Sequence, residues 1–577
     1  MIAGVSGTSS SRMGKIVYST AAFLNLTGLG LGILYTLVPS AEGVSFWFGW
    51  ILPLACAAAC ISCVRSSVSR PLAKLYLAWT CAGFAVLPFL LIARASFQAA
   101  DLFDAASRLL VLGSLVLGAL AAVGSLKPGT VESDPMAKTM SPDARTVSPA
   151  PSYNPAAAAL GFFFGIAALA VTARFLTGPH PKTAGVLIPQ CLPYWSIAFL
   201  PVGALTVRAG NGGPDTRRGA PLLALPAAAA AVLALTPVFQ TPGVLRTAEH
   251  DFSEAFESGR DATTPFGDRA YAFSLGRMFL GTRAGRIRPV LDAPYHTETA
   301  PDGRTFTFRY DLWSPAGSGP HPVLIRIHGG GWNSGDKAFG NMNYVNRHFA
   351  ELGYLVFDIQ YGLAEAGTFS LRAPTPKGMV GPFGIEDMLR HIGVFSFYLA
   401  DRAGEFGADP SRVFVSGASA GGHLALAVTL TSTSAYTRDH PGIGLDPRIT
   451  VRGVIPFYPG IGYAAGMGIP TRPELDTLEP LLGPGNPPAL FYQGVLDGMV
   501  DSKRVRSFVR AYDRAGGGRA VLVEFPSAGH GVNTDIDFPL FTEVNVPLFS
   551  ADFHSKPTAP IFIRSFMRYE SAFKLKT

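Results

Sequence analysis

The sequence predicts two units in series, an α-helical multi-pass membrane region and then an α/β domain with a mostly parallel sheet carrying helices on both faces. Three observations predict this order. The first 245 residues contain seven long windows without Asp, Glu, Lys or Arg. The second half alternates short β-branched runs with helical patterns. The basic excess is confined to the apolar half: residues 1–240 hold 15 Lys/Arg against 7 Asp/Glu, and residues 241–577 hold 32 against 33. A chain of 577 residues also exceeds the roughly 250–300 residues at which one core stops growing.

The uncharged windows are 16–41, 43–64, 75–93, 109–126, 146–173, 183–207 and 219–245. Each has room for a spanning helix of about 20 residues, and helix is the form hydrocarbon imposes, because it offers no partner to backbone amides. Window 109–126 is short and Gly-containing, the weakest of the seven. Residues 1–245 are therefore read as a transmembrane region of about seven helices. The first window is long and lacks a small-residue cleavage site, so it reads as a span and not as a removable signal.

The connecting segments fix an expected orientation. The N-terminus and the second, fourth and sixth loops carry eleven Lys/Arg, including Arg65, Arg70, Lys74, Lys127 and Arg217, while the first, third and fifth carry four, Arg94, Arg108, Arg174 and Lys182. Positive residues favour the cytoplasmic side, so an odd number of spans puts the second half outside, or in a lumen. A pI of 9.1 arising from short loops supplies no basic stripe on a folded domain, which argues against nucleic acid as a partner. The five cysteines, Cys56, Cys60, Cys63, Cys81 and Cys191, lie in apolar stretches with no zinc-like partners and read as small buried residues.

Lys127–Pro155 is rich in Ser, Pro and small polar residues and reads as a flexible loop. Residues 246–288 read as a linker in which Tyr271, Phe273, Leu275, Met278, Phe279 and Leu280 stand among arginines, a pattern that suits an interfacial helix or packing on the following domain equally. The α/β domain is expected from 289 to 577. Strands are expected at Val323–Ile327, Tyr354–Ile359, Val413–Ser416, Val451–Phe457, Ala489–Tyr492 and Val521–Phe525. Helices are expected near Ile385–Gly404, from Gly421, and at Lys503–Ala515. In such sheets the chemistry sits in loops after the carboxyl ends of strands.

Three of those loops carry reactive residues. After Val413–Ser416 comes Gly417-Ala418-Ser419-Ala420-Gly421-Gly422, a G-x-S-x-G between strand and helix. That turn crowds its backbone, so small residues are needed two before and two after the serine. After Val323–Ile327 comes His328-Gly329-Gly330-Gly331-Trp332, a glycine loop whose amides can point at a developing oxyanion. Gly330, Gly331 and Ala420 are the expected oxyanion hole, and Trp332 is expected against substrate. His328 reads as support for the loop.

A serine hydroxyl needs a histidine to take its proton and a carboxylate to hold that histidine's tautomer. Asp497 follows the Ala489–Tyr492 strand and His530 follows Val521–Phe525, in the order Ser, Asp, His. Asp501 reads as a helix cap, His423 as a packed core histidine, His554 as a surface residue, and Glu386 and Asp387 as first-turn acids of a helix. No step calls for a metal or an organic cofactor.

On these motifs, residues from about 289 to 535 resemble the α/β-hydrolase carboxylesterase branch that includes hormone-sensitive-lipase-like and feruloyl-esterase-like enzymes. The resemblance implies a triad of Ser419, Asp497 and His530 and cleavage of a carboxylic ester, and the apolar half adds the expectation of a small or lipid-like substrate met at a membrane face. Amide or peptide cleavage and acyl transfer use the same residues, and a non-catalytic binding or signalling domain is the alternative of a different class. After Asp358 the chain reads Ile359-Gln360-Tyr361-Gly362-Leu363-Ala364 and departs from the Tyr-Arg-Leu-Ala-Pro run of many relatives. Tyr458–Pro487 is Gly/Pro-rich and is placed to cap the pocket.

Overall fold

The computed structural model describes residues 5–37, 42–65, 70–96, 100–126, 154–180, 184–211, 219–256, 279–280 and 287–531, the last without 338–341, 352, 368–374 and 377. His554, most of the Lys127–Pro155 loop and the residues from Tyr271 to Met278 lie outside the described residues.

The first unit is a helical bundle. Its helices are α1 (Val5–Leu37), α2 (Glu42–Arg65), α3 (Arg70–Ser96), α4 (Ala100–Gly124), α5 (Pro155–Thr177), α6 (Ala184–Gly210), α7 (Leu225–Ala234) and α8 (Thr236–Phe256). Among the described residues six helices are long and apolar enough to cross a membrane, including Ala105–Gly124, which contains most of the weakest window. The window that falls short is 183–207. Its helix α6 holds Pro189, Pro193 and Pro201, and its Tyr194 and Leu192 are buried. A helix enclosed by its neighbours needs less apolar surface than one facing lipid, and the surrounding helices tolerate its prolines. α6 nevertheless traverses the bundle: near its end Arg208 donates to the Cys63 carbonyl at the end of α2, while its start adjoins His180, whose amide bonds into the second unit.

The second unit opens with an antiparallel hairpin, β1 (Val290–Thr299) and β2 (Thr305–Trp313). Six parallel strands follow: β3 (His321–Ile327), β4 (Leu355–Ile359), β7 (Ala408–Ala418), β8 (Val451–Phe457), β9 (Ala489–Gly494) and β10 (Ala520–Phe525). Two-residue strands β5 (Leu363–Ala364) and β6 (Val380–Gly381) pair apart from them. The eight-stranded order is β1-β2-β4-β3-β7-β8-β9-β10. The crossover helices are α9 (Met342–Glu351), α10 (Ile385–Asp401), α11 (Ala420–Thr433) and α12 (Ser502–Arg514). This is the α/β-hydrolase fold, and each expected strand and helix is present within a few residues of its expected ends.

Alternation along each strand separates two cores. Val323, Ile325, Val413, Val415 and Phe491 face α10, α11 and α12. Leu324, Val356, Phe414, Ile455, Leu490, Val521, Val523 and Phe525 face the other way, into a cluster with Phe349 and Ala350 of α9, Ala248 of α8, Phe279, Leu280 and bundle residues such as Phe84 and Tyr194. α8 thus runs from the bundle across the expected boundary at 245, over the sheet. Gln240 near its start bonds Ser527, just past the end of β10, and Asp251, Glu254 and Ala255 near its end adjoin Ala520 and Val521, where β10 begins. α8 is antiparallel to β10, so the carboxyl ends of the strands point back toward the bundle.

Candidate active site

The elbow is built by close packing. Ser419 sits between β7 and α11 with φ 55° and ψ −118°, a left-handed conformation worth roughly 1–3 kcal/mol of strain for a non-glycine residue. Neighbours hold it there: its amide donates to the Phe457 carbonyl at 2.9 Å, and its carbonyl accepts from His423 at 3.0 Å and Gly460 at 3.1 Å. A methyl group on Gly417 would strike the Gly421 carbonyl, and one on Gly421 would strike the carbonyls of Ile327 and His328. The two small residues that the motif demands are those that let β7, α11 and the glycine loop meet.

Ser419, Asp497 and His530 converge. His530 Nε2 lies 2.9 Å from Ser419 Oγ and His530 Nδ1 lies 2.8 Å from Asp497 Oδ2. An ionised carboxylate can only accept, so Nδ1 carries the hydrogen and Nε2 presents its lone pair to the serine hydroxyl. Asp497 is fixed by the amides of Met499 and Val500, at 2.8 and 2.9 Å from Oδ1, and by Gln493 Nε2 at 3.1 Å from Oδ2. Tyr458 meets the imidazole edge-on, ring centres 4.5 Å apart. Asp501 instead caps α12, accepting from the Lys503 amide at 2.9 Å.

The glycine loop lies against the nucleophile: a Cβ on Gly329 would stand 2.7 Å from the Ala418 carbonyl and 3.4 Å from Ser419 Cβ. Gly330 and Gly331 have φ 121° and 64°, and the Gly330 carbonyl accepts from the Ser334 amide at 3.1 Å and hydroxyl at 2.8 Å. Ala420 opens α11, where the first helical amides have no partner within the helix. Trp332, expected against substrate, is 2% exposed. Its ring meets His423 at 5.5 Å and Gly460, and its indole Nε1 has no hydrogen-bond partner among the described residues.

Below the loop runs a buried polar chain. His328 stacks on Tyr361 at 4.4 Å, Tyr361 donates to the His328 carbonyl, and the next amide, Gly362, donates to His391 Nδ1 at 3.1 Å. His391 must therefore donate from Nε2 to Glu298, 2.8 Å away. Glu298 is held well below the usual carboxylate range by that bond and by Arg390, against its own partial burial. Burial also lowers His328 and His391, and brings His423 to about 4, so these are neutral structural histidines, as expected of His328 and His423. Glu386 and Asp387 stand in the first turn of α10, Asp387 accepting from the Gly384 amide.

The sheet order and the strand-end meeting of Ser419, Asp497 and His530 define an α/β-hydrolase fold behind a helical bundle. Residues 310–462 match the family model described as BD-FAE. The chain is 30% identical over 141 residues to the probable carboxylic ester hydrolase LipM of Mycobacterium tuberculosis, covering 24% of this chain and 28% of that one. It is 35% identical over 127 residues to fumonisin B1 esterase of Sphingopyxis macrogoltabida, covering 21% and 22%. The match thus spans about a quarter of the length of these relatives. Among solved structures, apo esterase 2 of Thermogutta terrifontis aligns over 46% of this chain and 94% of its own, at TM-score 0.35 and 20% identity.

Proposed function

We propose that this chain is a membrane-embedded serine hydrolase that cleaves a carboxylic ester through an acyl-enzyme on Ser419. The supporting observation is the unbroken relay from Ser419 Oγ to His530 to Asp497, at 2.9 and 2.8 Å. As Ser419 attacks the carbonyl carbon, His530 Nε2 takes its proton, Asp497 stabilises the imidazolium, and the amides of Gly330, Gly331 and Ala420 receive the charge on the carbonyl oxygen. His530 then protonates the leaving alcohol. Water, deprotonated by the same imidazole, releases the acid and restores the serine.

The substrate class follows from the mounting. The carboxyl ends of the strands point toward the bundle, so the acyl-binding face lies beside lipid, and an ester carried in or on the bilayer is the reading we favour. Trp332 Nε1, buried and unpaired, is the indole atom through which that residue would meet substrate. The eleven-to-four division of Lys/Arg and the traverse of α6 support a reading with seven crossings and an extracytoplasmic or lumenal catalytic domain.

Full-length protein in detergent should be labelled by a fluorophosphonate probe, and the label should vanish in Ser419→Ala. A series of acyl esters of rising chain length should show turnover increasing with apolar length. For the topology, replacing the five native cysteines and placing one at exposed Ser318 should allow labelling of intact cells by an impermeant maleimide. Labelling only after permeabilisation overturns the orientation and leaves the triad standing.

A further inference from the structure

The bundle does more than support the catalytic domain, because one of its loops is inserted into the active-site framework. Between α5 and α6 the chain places His180, 3% exposed, against both segments that carry the acid and the base. Its amide donates to the Leu496 carbonyl at 2.9 Å, one residue before Asp497. Its own carbonyl lies so near Gly498, one residue after Asp497, that a methyl group there would collide with it. On the other side its imidazole Nδ1 occupies the space a side chain on Gly529 would need, next to His530. The two catalytic segments are also tied to each other, Leu496 donating to the Ala528 carbonyl at 3.0 Å. His180 therefore touches the residue on either side of Asp497 and the residue before His530.

The imidazole is held from the bundle. Nε2 lies 2.7 Å from the Phe175 carbonyl, so it carries the hydrogen and donates, and the ring packs on Phe175 with centres 5.2 Å apart. Gly185 at the start of α6 leaves room for it, since a Cβ there would strike His180 Cβ. The side chain is thus fixed by α5 and α6 and makes its contacts on the hydrolase loops. A second tie from the bundle reaches the same region, Ser527 Oγ donating to Gln240 Oε1 at 2.6 Å.

We propose that His180 is a positioning residue: seated in the α5–α6 loop, it holds the Asp497 and His530 segments in register with Ser419, so that the membrane bundle is part of the catalytic apparatus. The proposal rests on the triad reading above. A displacement of about 1 Å in a reacting group can cost up to about 100-fold in rate, and the acid and base are the members whose loops touch the bundle, so the loss should fall on kcat.

The test uses full-length protein in detergent with a short soluble ester, which needs no contact with lipid. His180→Ala should lower kcat by about tenfold or more while KM stays within about twofold, and His180→Gln, which restores a donor toward Phe175, should recover most of the loss. Asn154→Ala, removing the N-cap of α5 far from the site, controls for bundle stability. Should His180→Ala fail to fold, Gly185→Ala displaces the same imidazole from the α6 side and gives the same reading. Unchanged kcat in the variant that folds, a change confined to KM, or an equal kcat loss in Asn154→Ala each overturns the proposal. Ser419→Ala separates the two levels: if it retains turnover the triad reading has failed, whereas a dead Ser419→Ala beside a fully active His180→Ala defeats the positioning role alone.

Discussion

The proposed nucleophile, Ser419, and the proposed acid–base pair, Asp497 and His530, are held by different parts of the molecule. Ser419 is fixed within the hydrolase unit: its turn is enclosed by β7, β8 and the glycine loop, and α11 behind it packs into the core shared with α10 and α12. Asp497 and His530 stand at the ends of β9 and β10, whose opposite face is covered by α8 and by bundle residues, and whose loops meet His180 and Gln240. Ser419 is thus held within one unit, whereas Asp497 and His530 are held jointly by two. Each large apolar side chain on the shared face is worth about 1.5–3 kcal/mol when buried, so α8 contributes to the sheet's stability as well as to its attachment.

The largest expected losses are in the proposed chemistry. Ser419→Ala and His530→Ala are expected to reduce hydrolysis of an activated ester by at least about 10³-fold each, measured at equal protein folded by size-exclusion profile. Residual turnover near wild type in either would end the proposed mechanism. Next, Asp497→Asn should cost about 10²–10⁴-fold, while Asp501→Asn, which removes the α12 cap, should leave kcat within about threefold and show itself as a lower melting temperature. The reverse ranking would reassign the acid.

A third expectation concerns the shared face. A chain begun at residue 289 lacks α8 and should expose Val521, Val523 and Phe525, losing cooperative melting and aggregating, whereas one begun at residue 236 keeps that cover and should melt at a higher temperature. Equal behaviour would mean that α8 is only a tether. The smallest effect is one of pH. Glu298 is held low by His391 and Arg390, so its contribution is fully present above the usual carboxylate range and is lost as pH falls through the lowered value. His391, lowered by burial, has the same sign, its contribution fading as pH drops below the ordinary histidine range. The melting temperature should therefore decline on acidification from neutrality, and Glu298→Gln should flatten the acid end of that decline. An unchanged slope would remove the buried pair from the account.

Much of the hydrolase unit was legible because its signals are local. A β-branched run followed by Gly-x-Ser-x-Gly needs only neighbouring residues to announce a strand, a crowded turn and a helix, and Asp497 and His530 follow strands in the required order. The β1–β2 hairpin escaped, although Asp302-Gly303 at its tip, with Gly303 at φ 83°, is a turn signal that polar alternation in Val290–Thr299 obscured. Window 109–126, weakest by its length and glycine content, lies in a helix apolar enough to span, whereas 183–207 does not reach that apolarity; the length of an uncharged window does not report which helix its neighbours will enclose. His180 could not be read at all: its contacts are with loops more than three hundred residues away in the chain, and nothing around Pro179 or Pro181 distinguishes it from any other polar residue between two helices. Gln493 and Tyr458 were missed for the same reason, being defined by what folds against them.

α8 leaves the bundle beside the ends of the strands and runs back along β10, so on the membrane-embedded reading proposed above Ser419 is presented to the layer from which the helix emerges and not to the bulk. Under that proposal the governing quantity is the number of ester molecules per unit area within lateral reach. Its rate would follow the composition of the lipid around it, and diluting the sample with buffer would change nothing until the lipid itself were diluted.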